Sequence, residues 1–232
     1  LTSIGSDSMG DLVELWAEAY GKVQPVSIKV EHQGSASAPA ALIEGSADLG
    51  PMARQMKHTE RSGFIAHYGF QPTQVRTAIA AVAVYVSKQN PIREISFDQL
   101  NAIYSAQPKS GLIRPENWQA LNGAGSPAPA DGGIYTLAAD MDPYAFAYFR
   151  EQVLAGPDLS AGVTSTGDIG SMLELIKNRP NAIGFGLLAT PPSGVKIIGI
   201  KRDPADRGVL PAESELQAGN YPLGRFLNVY IV

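Results

Sequence analysis

The chain contains no cysteine. That absence removes structural disulfides, thiolate metal sites and a cysteine nucleophile together. Its 3 histidines, His32, His58 and His67, stand at spacings that match no metal-ligand motif. No apolar run approaches the length of a membrane span; the longest, Ala78–Val86, is strand-sized. Lys and Arg form no cluster and the net charge is −4, so the counter-charge that a nucleic-acid backbone demands is missing. There is no P-loop, dinucleotide fingerprint or Gly-x-Ser-x-Gly elbow. The sequence therefore offers no catalytic residues, no metal site and no cofactor site, and an enzyme is not expected. With 232 residues, 44% hydrophobic and 17% charged, the chain is long and apolar enough for one large domain or two lobes with real cores.

Two serine-bearing turns stand out against these absences. Gly5-Ser6-Asp7-Ser8-Met9-Gly10 lies between a short apolar start and an amphipathic run. Gly34-Ser35-Ala36-Ser37-Ala38-Pro39 lies between a β-like stretch and a helix-like one. Each presents hydroxyls and unpaired backbone N–H groups at a helix start, where the helix dipole also favours negative charge. Such turns either hold a small anion or simply cap their helices.

The remaining pattern is strand–helix–strand, as in an α/β sheet with parallel neighbours. Leu1–Ile4 reads as a strand. Met9–Tyr20 reads as a helix with Leu12, Leu15, Trp16 and Ala19 on one face. Val26–Val30 and Ala47–Gly50 read as strands around a helix that starts at Ser37 and ends near Gly45. Thr59–Tyr68 is a helix stopped by Gly69. Ala78–Ser87 is a long strand, and Ser96 with Gln99 forms a capping box for a helix through Ser105. Residues 107–133 read as loop, least structured over 122–133. Ile134–Leu137 and Ala182–Leu187 read as strands, Tyr144–Leu154 and Asp168–Lys177 as helices, and Val195–Ile200 as a last extended run before the apolar segment Phe226–Val232. A chain closing inside such a run reads as a trimmed piece of something longer.

Taken together and in order, Gly5-Ser-Asp-Ser-Met9, Gly34-Ser-Ala-Ser-Ala-Pro39, Ser46-Ala-Asp-Leu-Gly-Pro-Met-Ala-Arg54, Ala83-Val-Tyr-Val86 with Asn90-Pro91, Tyr148-Phe-Arg-Glu151, Ala182-Ile-Gly-Phe-Gly186 and Tyr221-Pro-Leu-Gly-Arg-Phe226 resemble the phosphate-type periplasmic solute-binding proteins of ABC transporters. The resemblance implies a two-lobed α/β fold of the type II periplasmic-binding-protein kind with a central cleft. Lobe 1 would be residues 1–85 plus 222–232, and lobe 2 residues 86–221. The C-terminal helix that family members carry after the last strand would be missing. It also implies a periplasmic or extracytoplasmic location, a small anion such as phosphate as ligand, and an ABC transporter permease as partner. The ligand contacts it implies are Ser8 and Met9, Ser35 and Ala36, Arg54, and Asp140 in the second lobe.

The second-lobe half of the implied site departs from the family. Anchored on Tyr148-Phe149-Arg150-Glu151, the family's Arg falls on Ala139 and its Ser-Gly-Thr on Pro143-Tyr144-Ala145. Ala53 stands where the family has Ser or an acid. Pro143 brings no N–H. Asp140 and Asp142 add negative charge, either as helix caps or as groups that could meet a cation or an amine. Arg54 serves either a structural ion pair or the ligand. The expectation is a degenerate phosphate site, the alternative being the same fold turned to a non-phosphate ligand or a protein partner.

Overall fold

The computed structural model describes residues 1–109, 111–122, 129, 133–154 and 158–232, with the side chain of Asn122 left out. Most of the 122–133 loop expected from sequence lies outside the described residues. In chain order the elements are β1 (Thr2–Gly5), a 3₁₀ turn (Asp7–Met9), α1 (Gly10–Gly21), β2 (Lys29–His32), α2 (Ser37–Ile43), β3 (Leu49–Met52), α3 (His58–Tyr68), β4 (Thr73–Ser87), β5 (Glu94–Ser96), α4 (Phe97–Tyr104), α5 (Trp118–Asn122), β6 (Tyr135–Ala138), α6 (Pro143–Phe149), a π turn (Arg150–Leu154), β7 (Thr164–Ser165), α7 (Ile169–Lys177), β8 (Ala182–Leu187), β9 (Val195–Ile197), β10 (Gly199–Lys201), α8 (Glu213–Gln217) and β11 (Gly224–Ile231). The chain divides into two compact units. One comprises Leu1–Ala80 with Arg225–Val232, the other Ala81–Gly224.

In the first unit the strands run in the order β2-β1-β3-β11-β4. β1 pairs parallel with β2 and β3, and β11 pairs antiparallel with β3. One face of the sheet carries α2 and α3, where Ala38, Leu42, Met52, Met56, Phe64 and Tyr230 form a buried cluster. The Tyr230 hydroxyl accepts the Met56 N–H at 3.0 Å. A second cluster, Met9, Val13, Ala53 and Leu227, includes the inner face of α1. The apolar face read from the sequence of α1 is largely exposed: Leu15 is 63% and Trp16 38% accessible. Val13, which lies off that stripe, is the residue that packs inward. On β11, Val229 is half-buried and packs against the second cluster.

The second unit has the strand order β4-β8-β6-β7, with β9 also on β4. β6 pairs parallel with β7 and β8, and β8 antiparallel with β4. β5 and β10 make a separate parallel pair. The run expected as one strand over Val195–Ile200 is thus two strands that part after Ile197 to serve different sheets. Tyr104, Phe149 and Phe185 centre the core, the last two stacked at 3.7 Å between centroids. The buried Tyr104 hydroxyl donates to the Ile183 carbonyl at 3.0 Å. Trp118, in a helix the loop reading did not anticipate, is 1% exposed and donates its indole N–H to Asn181. The Ser96–Gln99 capping box forms as its spacing requires, with reciprocal bonds of 3.2 and 2.9 Å. Among the described residues no helix is long and apolar enough to cross a membrane.

Candidate anion-binding site

The carboxyl ends of three adjacent strands in the first unit meet at the two serine turns. Gly5, the last residue of β1, pairs with His32 at the end of β2. It has no side chain because a Cβ there would stand 2.1 Å from the Pro51 carbonyl oxygen of β3. The same carbonyl accepts the Ser6 N–H at 2.8 Å, and the Gly5 carbonyl accepts the Gln33 N–H at 2.9 Å. These bonds fix where each turn leaves the sheet.

The first turn folds tightly. Ser6 is buried, and its hydroxyl lies 2.9 Å from that of Ser8. The Met9 N–H donates to the Ser6 carbonyl at 3.2 Å, and the Met9 side chain is fully buried. Met9 thus supplies packing, and its own amide is already engaged. The second turn reverses at Gly34 with φ 79°, a left-handed conformation that suits glycine. Ser37 donates its hydroxyl back to the Gly34 carbonyl at 2.8 Å. Ser35 accepts the Ala53 N–H at 3.0 Å and so ties the second turn to the end of β3. Ser35 keeps its hydroxyl proton for a further acceptor. Among the described residues the amides of Ser35 and Ala36 donate to no backbone carbonyl. Hydroxyl donors and open amides around a left-handed turn are the elements of an anion nest.

Charge at this edge is balanced locally. Arg54 grips Glu60 bidentately, with Nη1 to Oε2 at 2.8 Å and Nη2 to Oε1 at 2.7 Å, and Nη1 also donates to the Gln55 carbonyl. The guanidinium holds the Glu60 carboxyl below its ordinary range, aided by the Lys57 amide. Arg54 has the geometry of a structural clamp between the end of β3 and α3. Two further participants were not singled out from sequence: Ser6, and His32, whose ring packs over Gly10. The signal for the first was present in its motif. Nothing in the sequence pairs His32 with Gly10.

In the second unit, the segment that follows β6 carries the residues named from the resemblance. Ala139 is 5% exposed, and a Cβ added to Gly186 would come within 3.0 Å of its own. Asp140 accepts the Ser165 hydroxyl at 2.7 Å. Asp142 caps α6, accepting the amides of Tyr144 and Ala145 at 2.9 and 2.8 Å, with Pro143 in the first helical turn where its missing N–H costs nothing. Asp168 caps α7 through Ser171, whose hydroxyl and amide hold that carboxyl below its ordinary range. Among the described residues no group of three His, Asp or Glu side chains could hold a metal.

An α/β unit that delivers serine turns to the carboxyl edge of a parallel sheet, in a chain that crosses twice between two such units, has the build of a periplasmic-binding-protein fold. The chain belongs to the PBP superfamily domain family, whose sequence model matches residues 1–232. It is 34% identical, over its whole length and 72% of the relative's, to the phosphate-binding protein PstS of Pseudomonas aeruginosa. Its fold is that of a possible phosphate binding protein from Planctomyces limnophilus, with a TM-score of 0.78 at 20% identity over all of this chain and 81% of that one. An ABC-type phosphate transport receptor from Vibrio cholerae gives a TM-score of 0.69 at 19% identity, covering 86% of that chain.

Proposed function

We propose that the chain is an extracytoplasmic receptor of the phosphate ABC-transporter type, which takes a small oxyanion on the Ser8 and Ser35 turns and passes it to a transporter permease. The observation that carries this reading is the second turn. Ser35 is fixed by the Ala53 amide at 3.0 Å, while among the described residues its proton and the amides of Ser35 and Ala36 meet no acceptor. The 34% identity to a phosphate-binding relative over the full chain supports the class of ligand.

We also infer that free phosphate binds more weakly than the motif order alone implies. Arg54 is engaged by Glu60, Ala53 brings no hydroxyl, and Ala139, Asp140 and Pro143 stand in the sequence where the family resemblance implies donors. A hydrogen bond to a charged group is worth roughly 1.5–3 kcal/mol, so the loss of two or more lowers affinity by orders of magnitude. Titration calorimetry with phosphate tests both statements. The expected result is phosphate binding with Kd above about 1 μM. Submicromolar binding overturns the degenerate site. No heat and no thermal shift with phosphate or sulfate overturns the anion reading and leaves a non-phosphate ligand or a protein partner as the function of this fold.

A further inference from the structure

The imidazole of His32 sits directly on the first residue of α1. A Cβ on Gly10 would lie 2.0 Å from both Cε1 and Nδ1 of the ring, so the ring fills the space that any other residue at position 10 would claim. On its far side Nε2 meets Glu14 Oε1 at 2.8 Å. His32 is also the last residue of β2, in parallel register with Gly5 and followed directly by the Gln33-Gly34-Ser35 turn, whose Gln33 N–H donates to the Gly5 carbonyl. One side chain therefore spans from the strand that launches the second serine turn to the helix that follows the first.

We propose that His32 is a positioning residue of the anion site, holding the two serine turns in register, and that protonation of its ring strengthens anion binding. The inference rests on the anion reading given above. Imidazole is the side chain that changes charge between pH 5 and 8. Its protonated form adds positive charge beside the two serine turns. Its neutral form keeps the packing and loses the charge. The charged group that meets the ring is Glu14 of α1, and Asp7 and Asp11 lie in the turn and first helical turn that precede it. Lys29 and Glu31 of β2 are paired with each other at 2.7 Å and alternate to the opposite side of the strand.

Sulfate is the probe, because it keeps one charge state from pH 5.5 to 8. The wild-type chain is expected to bind sulfate about 5-fold more tightly at pH 5.5 than at pH 8, within the usual span of coupling between two sites. Added sulfate should, reciprocally, move the NMR titration of the His32 ring protons to higher pH. His32→Gln keeps a polar group and removes the charge, so its affinity should be flat across this range. A pH slope that survives in H32Q does not come from this ring and overturns the proposal. The positioning role has its own test. Gly10→Ala should weaken sulfate binding at every pH by displacing the ring. Gly10→Ala with His32→Ala removes the clash and should return affinity to that of His32→Ala alone. Additive losses in this cycle overturn the positioning role. If sulfate and phosphate both fail to bind the wild-type chain, the anion reading falls and this inference with it. If they bind and the slope or the cycle fails, this inference alone falls.

Discussion

Replacing Ser35 by alanine separates the two roles of one hydroxyl. In the free protein that oxygen accepts the Ala53 N–H at 3.0 Å, and Ala53 is 6% exposed. Its removal leaves a buried amide without an acceptor, a loss of about 1–3 kcal/mol. For a chain of this size each 1 kcal/mol moves the melting temperature by about 2–4 °C, so Ser35→Ala should melt about 2–12 °C lower. The second role is the donated proton. A charge-assisted bond of about 1.5–3 kcal/mol corresponds to a loss of roughly 10- to 150-fold in phosphate affinity. Ser35→Thr keeps the oxygen and is the control for both. The assays are scanning calorimetry without ligand and titration calorimetry with phosphate. A variant that melts lower but binds phosphate within about 3-fold of wild type would show that the hydroxyl only ties α2 to β3. That result would remove Ser35 from the site.

Two further substitutions probe the frame beneath the turns. Gly5→Ala places a methyl 2.1 Å from the Pro51 carbonyl oxygen, a backbone atom that cannot swing aside, so β1 and β3 must separate. The expected cost is at least about 1–3 kcal/mol, read as a lower denaturation midpoint; unchanged stability would mean that the strand ends are loose. Glu60→Gln tests the Arg54 clamp through pH. Because folding depresses the Glu60 carboxyl below its ordinary value of 4.5, its contribution is complete above that value and is lost as pH falls through the folded one. The wild-type chain should therefore lose stability faster than Glu60→Gln below about pH 4.5, and parallel acid limbs in urea titrations would refute the assignment.

Local signals in the sequence carried much of the fold. Gly69 ends α3 at φ 79°, and Ser96 with Gln99 opens α4, because caps and stops are chemistry between residues three or four apart. Asp142 likewise caps the helix its position suggested. The inward side of α1 was not legible. Its apolar arc is wider than the strip that meets the sheet, and periodicity alone cannot say which part of a wide arc is covered. The break after Ile197 was equally hidden, since a strand that changes partners has the same alternation as one that does not. At the candidate site the serine turns could be read from their motifs. The Ser35–Ala53 bond and the His32–Gly10 contact join residues 18 and 22 positions apart, and only the parallel register of β2, β1 and β3 brings them together.

The chain has 2 tryptophans, one in each unit. Trp16 on α1 is 38% exposed, whereas Trp118 is sealed at 1% with its indole N–H tied to Asn181. Their emission therefore carries two addresses without any added label. A water-facing indole emits to the red and yields to acrylamide; a sealed one emits to the blue and resists quenching. During denaturation the loss of blue emission dates the opening of the Ala81–Gly224 unit. Changes in the quenchable red component report on the Leu1–Ala80 unit. The question of whether the two units melt as one cooperative body or in sequence thus reduces to whether two colours fade at the same urea concentration.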